Sequence, residues 1–157
     1  MKKLLTILCL VLLVSCSNEV DPDKLVYRNG LYYEVNSTKP FTGSVVEYHD
    51  NGQLEMRGNY KDGKDDGLWE SYYENGQLEM RGNYKDGEPD GLREFHYDNG
   101  QLESRGNVKD GGFGFGQEDG LWEYFDEEGN LTKTEEWKDG NLTKTEEYKD
   151  GVLQGEI

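Results

Sequence analysis

Cysteine, proline and basic residues are scarce in this sequence of 157 residues. It has two cysteines and three prolines, and its 17 lysines and arginines are outnumbered by 33 aspartates and glutamates. Both cysteines, Cys9 and Cys16, lie within the first 16 residues. The rest of the chain therefore has no disulfide, no thiolate nucleophile and no cysteine-based metal site.

The excess of acidic residues gives the chain a formal net charge of −16. Proteins that bind nucleic acid use lysine and arginine to displace counterions from phosphates, so a chain this acidic repels DNA and RNA. The same repulsion acts on anionic lipid headgroups. We therefore expect no nucleic-acid partner and no direct binding to headgroups.

The sequence has a single long apolar run, at residues 4–14, which follows a basic start. This run has the length of a signal-peptide core and is shorter than the about 20 residues of a membrane-spanning helix. It ends in the letters LVSC, which resemble the lipobox of bacterial lipoproteins, and the resemblance implies that Cys16 is acylated. We predict a signal peptide over residues 1–15 and a lipidated tether over 16–24.

Acylation of Cys16 implies a place in the bacterial cell envelope, with membrane contact made by the acyl chains. Ser17 follows the cysteine, which favours the outer membrane over the inner one. An ordinary signal peptide and a buried helix with a chance cysteine are the alternatives. The polar, acidic residues at 17–22 leave a buried helix nothing to pack against.

Internal repeats dominate the sequence after residue 40. The segment 51–63 recurs unchanged at 75–87 and, with two substitutions, at 99–111, so the period is 24 residues. A second marker, the glycines at 43, 67 and 91, keeps the same step. The next glycine of this series is Gly120, 29 residues later, because five residues have been inserted. We place the repeat array at residues 41–151, with units near 43–66, 67–90, 91–119 and 120–151.

Each unit predicts two β-strands joined by a tight turn. Asn75-Gly76 favours a type I′ turn, and the strand after it alternates apolar and polar residues. No segment beyond residue 16 has a helical apolar period. The fold class is therefore all-β, a repeat array of β-hairpins forming an elongated antiparallel meander sheet of about eleven strands. Residues 25–40 are expected to form a divergent capping hairpin, and 152–157 a C-terminal tail.

The repeat spacing, Gly-Leu-Trp-Glu-x-Tyr followed by Asn-Gly-x-Leu and Gly-x-Tyr-x-Asp-Gly, resembles the bacterial variant of the MORN repeat. The lead-in Lys39-Pro40-Phe41-Thr42-Gly43 is also similar to the start of such arrays. The resemblance implies a scaffold or interaction module. It also implies a kinship with proteins labelled YwqK-type antitoxins.

Aromatic columns on the predicted sheet supply the first candidate binding residues. They contain Trp69 and Tyr72 in the second unit and Trp122 and Tyr124 in the fourth. We expect these residues to be exposed and to pack mainly against one another. The alternative is a platform on which sugars or an extended peptide stack.

The insertion supplies the second candidate site. Its glycine-rich segment 111–116 contains Phe113 and Phe115 and is expected at a hairpin tip. Exposed aromatic side chains often anchor protein partners, so we predict partner contact there. A tolerated loop insertion without function is the alternative.

No residue pattern favours catalysis, a cofactor or a metal. His49 and His96 are expected on opposite faces of the sheet, as solvent-facing residues that cannot form one metal site. The many carboxylates lack the apolar pocket in which a glycosidase keeps its acid protonated. We therefore predict that the protein is not an enzyme.

The sequence thus predicts a lipid-anchored envelope protein that acts as an interaction or scaffold module through an acidic, aromatic β-surface. A protein partner is expected, and self-association is open because a terminal strand can leave a free sheet edge. An antitoxin-like protein that binds a basic exported toxin is the alternative. Binding or hydrolysis of an envelope polymer is a weaker third.

Overall fold

The computed structural model describes residues 19–109 and 116–156. This part of the chain is almost entirely β-structure and contains no α-helix, so the predicted all-β fold class is confirmed. A single 3-10 turn covers Pro22–Lys24. Within the described ranges, no helix is long and apolar enough to cross a membrane.

The strands are β1 (Glu19–Val20), β2 (Leu25–Arg28), β3 (Leu31–Glu34), β4 (Gly43–Tyr48), β5 (Leu54–Lys61), β6 (Lys64–Asp65), β7 (Gly67–Tyr72), β8 (Leu78–Lys85), β9 (Glu88–His96), β10 (Leu102–Lys109), β11 (Gln117–Phe125), β12 (Leu131–Lys138), β13 (Asn141–Lys149) and β14 (Val152–Glu156).

Twelve of the strands form one sheet in which neighbours in sequence are neighbours in space. The order is β1-β4-β5-β7-β8-β9-β10-β11-β12-β13-β14, with β6 paired to β5. All of its pairs are antiparallel except β1 with β4, which is parallel. The elongated meander is thus as predicted, and the parallel edge pair was not anticipated. A parallel pair needs a long connection, which β2, β3 and the loop after them supply.

The ends of the array differ. The hairpin of β2 and β3 forms a sheet of its own beside the first repeat and is tied to it by backbone hydrogen bonds. The Tyr32 amide donates to the Gly63 carbonyl at 2.9 Å, and the Phe41 amide donates to the Tyr32 carbonyl at 2.8 Å. At the other end, residues 152–156 form strand β14 where we expected a tail, because Asp150-Gly151 turns the chain back onto β13.

The hairpin turns correct one sequence prediction. Gly76 has a positive φ of 82° but Asn75 does not, so Asn75-Gly76 is not a type I′ turn. The loop has three residues, closed by the Tyr73 amide donating to the Gln77 carbonyl at 2.9 Å. Asn75 is held there by its side chain, which accepts from the Gln77 amide and donates to the Asp98 carbonyl of the next hairpin. Two consecutive positive φ angles, as in a type I′ turn, occur instead at Asp86 (φ 53°) and Gly87 (φ 89°) between β8 and β9, and at Asn29-Gly30 of the capping hairpin.

Strand alternation gives the sheet two unlike faces. On the charged face, arginine and glutamate of neighbouring strands pair across the sheet, and Arg105 Nε lies 2.6 Å from Glu123 Oε2. The other two pairs of this ladder are Arg57 with Glu70 and Arg81 with Glu94. Such cross-strand pairs each contribute about 0.2–1 kcal/mol to sheet stability.

The opposite face, which we call the aromatic face, carries Trp69 and Trp122. Both indoles are buried, with 9% and 5% of their surface exposed. Each ring lies against a strand glycine: a methyl group at Gly58 or Gly106 would overlap the indole of Trp69 or Trp122. A single-layer sheet thus buries a tryptophan by leaving the neighbouring strand without a side chain at that position.

Candidate functional site: an aromatic pocket beside Trp69

The four aromatic residues predicted as binding residues do not form one surface. Trp69, Trp122 and Tyr124 lie on the aromatic face, whereas Tyr72 is three residues after Trp69 and lies on the charged face. There the guanidinium carbon of Arg57 is 5.9 Å from the Tyr72 ring centroid. The expectation that these columns are exposed was also wrong, because both tryptophans are buried and both tyrosines are half-buried.

A cavity of about 380 Å³ opens on the aromatic face beside Trp69. Its volume lies within the range of about 300–1,000 Å³ that is usual for ligand pockets. The walls come from consecutive strands and from the capping hairpin, which supplies one tyrosine. The principal lining residues are Tyr32, Met56, Tyr60, Trp69, Met80 and Tyr84.

The aromatic rings of this pocket form a continuous row. Tyr32 and Tyr60 have centroids 4.7 Å apart, and Tyr60 lies edge-on to Trp69 at 5.2 Å. Tyr84 closes the row at 6.3 Å from Trp69. Edge-to-face pairs are stabilising, so each ring holds the next in place. The pocket is therefore preorganised.

One carboxylate, Asp65, lines the same pocket from strand β6. Burial raises the pKa of Asp65, and its hydrogen bond with Tyr60 offsets only part of this shift. Burial also raises the pKa of Tyr60, and the charge on Asp65 adds to that effect. Among the described residues, none of the ion pairs joins a lysine or arginine to Asp65.

The two buried tryptophans differ in their hydrogen bonding. The Trp122 Nε1 donates to the Asn107 carbonyl at 3.0 Å. The equivalent carbonyl in the first unit, that of Asn59, already accepts from the Asp66 amide at 2.9 Å. The buried Trp69 Nε1 has no hydrogen-bond partner among the described residues. An unmade hydrogen bond of this kind costs about 1–3 kcal/mol.

The third unit has an arginine where its neighbours have tryptophan. Arg93 lies opposite Gly82 on the aromatic face, and one of its terminal nitrogens donates to the Tyr84 hydroxyl at 3.2 Å. Its guanidinium carbon is 5.8 Å from the Tyr84 ring centroid. Arg93 thus places a guanidinium against Tyr84, although it is not one of the residues that line the pocket.

The fourth unit fills its aromatic cluster with its own charged residues. The buried Glu135 accepts from the Tyr124 hydroxyl at 2.8 Å and from the Trp137 Nε1 at 3.1 Å. Lys133 Nζ lies 2.8 Å from the Glu135 carboxylate and 4.0 Å from the Tyr124 ring centroid. Burial opposes ionisation of Glu135, but the hydrogen bonds from Lys133 and Tyr124 outweigh it and lower the pKa. Burial and the hydrogen bond to Glu135 raise the pKa of Tyr124.

The histidines were wrongly predicted to face solvent. The His49 side chain is only 16% exposed, and its Nε2 lies 2.7 Å from the Tyr72 carbonyl oxygen. His96 is half-buried, and burial lowers its pKa. No group of three or more potential metal ligands comes together in the described ranges. Three candidate residues, Cys16, Phe113 and Phe115, lie outside the described residues.

Sequence analysis missed Asp65, Tyr60 and Tyr84 as site residues. Tyr60 and Tyr84 occupy the same position in two identical repeat segments, and strand alternation alone does not distinguish them from packing residues. The signal for Asp65 was available as a difference between repeats, because the equivalent positions hold Pro89 and Glu118. The tight turn that places Asp65 beside Tyr60 could not be inferred from that difference alone.

Comparison with known proteins identifies the repeat. The family described as MORN repeat variant matches residues 41–62, 65–86, 89–110 and 118–139, four segments that together cover more than half of the chain. No curated protein shows a significant sequence match. The pocket at Trp69 is built from the first two matched segments and the hairpin before them. The chain is a repeat protein and belongs to the MORN repeat variant family.

Proposed function

We propose that this protein is a lipid-anchored component of the bacterial cell envelope that binds another protein through the aromatic face of its sheet. The observation that carries the proposal is the pocket beside Trp69, which is open, lined by aromatic rings and built from the first two units and the capping hairpin. Repeat arrays serve as extended binding surfaces in many proteins. Binding, and not catalysis, is the role that this surface supports.

The net charge of −16 favours a basic partner, because complementary charge speeds encounter and suppresses wrong partners. The same charge supports a second candidate, an antitoxin-like protein that neutralises a basic exported toxin. In either case, the anchor rests on the lipobox-like residues before Cys16, which favour the outer membrane of the envelope.

Cross-linking of the tagged full chain in bacterial cells tests the binding role. The matched variants are Tyr84→Ala, which opens the pocket wall, and Tyr72→Ala, which removes a half-buried tyrosine from the charged face of the same repeat. We expect one protein to be captured by wild type and by Tyr72→Ala and to be lost with Tyr84→Ala. Equal capture by all three chains, or no captured protein, would contradict the proposal.

Metabolic labelling with palmitate tests the anchor separately. Wild type should incorporate the label and fractionate with membranes, and Cys16→Ala should do neither. Cys9→Ala is the control, because Cys9 lies within the predicted signal peptide. Label that survives Cys16→Ala would remove the lipoprotein role without affecting the binding role.

A further inference from the structure

Among the described residues, those that line the pocket beside Trp69 supply a carboxylate and aromatic walls but no lysine or arginine. The carboxylate is that of Asp65, which forms hydrogen bonds with the neutral Tyr60 hydroxyl and with its own backbone amide. Glu70 also borders the cavity, but its carboxylate is paired with Arg57. An ionised carboxylate in an apolar surround is disfavoured unless a positive charge accompanies it.

The walls suit a cation with an apolar stem. Faces of tyrosine and tryptophan attract ammonium groups, and the attraction grows as water is excluded. Met56 and Met80 line the pocket on the same face as Trp69. Lysine buries its methylene stem along such apolar side chains while its charged end stays in a polar contact.

The fourth unit of the same sheet contains a lysine between an aromatic ring and a carboxylate. In the fourth unit, Lys133 lies over the Tyr124 ring and pairs with the buried Glu135. The residue at the position of Lys133 in the second unit is Met80, since Lys133 faces Tyr124 as Met80 faces Ser71. The second unit thus has Met80 and Gly82 where the fourth has Lys133 and Glu135. The carboxylate beside its rings is that of Asp65 from the preceding unit, and no lysine of the described residues pairs with it.

From these contacts we infer that the pocket binds the side-chain ammonium of a lysine on the partner protein, which pairs with Asp65 between the rings of Tyr60, Trp69 and Tyr84. This inference rests on the proposed binding role and specifies its ligand. Arg93 contacts the Tyr84 ring and hydroxyl but is not among the residues that line the pocket. A choline headgroup offers similar chemistry, but the internal Lys133 is the closer precedent.

Titration of the full chain with a capped Gly-Lys-Gly peptide tests the inference, with binding followed by protein chemical shifts. We expect Asp65→Asn, or acetylation of the peptide lysine, to weaken binding by about tenfold or more, which is the loss of about 1.4 kcal/mol. Glu118→Gln removes a charge at the equivalent position, near the end of the third unit, and should change affinity by less than about twofold.

Three results would overturn the inference: equal affinity for the acetylated peptide, unchanged binding by Asp65→Asn, or binding to phosphatidylcholine vesicles in place of the peptide. Cross-linking in cells distinguishes a failure of this inference from a failure of the proposed binding role. If capture of the partner is lost with Tyr84→Ala but is unchanged with Asp65→Asn, the binding role is supported and the lysine inference is wrong. A chain that captures no partner removes the binding role itself.

Discussion

The two tryptophan clusters of the aromatic face begin from the same short motif and end in different chemistry. Trp122 donates its hydrogen bond to a carbonyl, and beside it the Glu135 carboxylate is held by Lys133. Trp69 donates to no described residue, and none of the ion pairs in the described ranges joins a lysine or arginine to the neighbouring Asp65. The charged groups of the Trp122 cluster pair with one another within the chain, whereas the Trp69 cluster borders an open cavity.

The difference arises from the strand that faces each tryptophan. Trp122 faces Glu135, whereas Trp69 faces Gly82. The fourth unit thus fills the space with a charged network, and the second unit leaves a cavity there. Two units of one array thus differ because one of them lacks side chains that the other supplies.

The largest expected effect concerns the glycines beneath the tryptophans. A methyl group at Gly58 or Gly106 would overlap an indole, so Gly58→Ala and Gly106→Ala should each lower the free energy of unfolding by about 3 kcal/mol. Gly82→Ala is the control, because its methyl would lie 3.4 Å from Arg93 Nε and should cost less than about 1 kcal/mol. Urea unfolding measures all three. Equal stability of the three variants would mean that the glycines do not make room for the tryptophans.

The next largest effect is expected for Glu135 in the Trp122 cluster. Glu135→Gln removes the charge that pairs with Lys133 and should destabilise the protein by about 1–2 kcal/mol at neutral pH. Because the folded state lowers the pKa of Glu135, this stability is present above the unfolded pKa and is lost as pH falls through the lowered value. The gap between wild type and variant in thermal unfolding should therefore close on acidification. A gap that is independent of pH would show that charge is not the cause.

A pair of tryptophan substitutions compares the hydrogen bonds directly. Trp122→Phe leaves the Asn107 carbonyl without its donor, whereas Trp69→Phe removes an indole nitrogen that has no partner in the described chain. The first variant should be less stable than the second by about 1 kcal/mol, since the two lose similar ring area. Denaturant unfolding checks the difference. The reverse order of stability would contradict the open state of the Trp69 cluster.

The smallest expected effect has the opposite sign to that of Glu135→Gln. Since folding raises the pKa of Asp65, the protonated carboxyl stabilises the fold at acidic pH, and this contribution is lost as pH rises through the raised pKa. Asp65→Asn should therefore raise the free energy of unfolding at neutral pH, by less than about 1 kcal/mol. Thermal unfolding of the free protein measures this gain. A loss of stability at neutral pH would show that Asp65 serves the fold and not a ligand.

Much of the fold could be predicted from the sequence because the repeats specify it locally. The 24-residue period and the alternation after Asn75-Gly76 predict the meander, although the turn has one residue more than a type I′ turn and is held by the side chain of Asn75. The site was less predictable. Tyr72 is on the face opposite Trp69, and the pocket depends on Tyr32, which the capping hairpin brings from outside the repeats. Such contacts come from the packing of one end of the array and leave no periodic signal.

Fluorine NMR of the full chain with 5-fluorotryptophan tests the contrast between the clusters most directly. The three tryptophans at 69, 122 and 137 give three signals, which Trp→Phe variants assign. On addition of the lysine peptide, the account predicts that the signal of Trp69 shifts and that those of Trp122 and Trp137 stay in place. A shift at Trp122 or Trp137 in the absence of one at Trp69, or no shift at all, would contradict it.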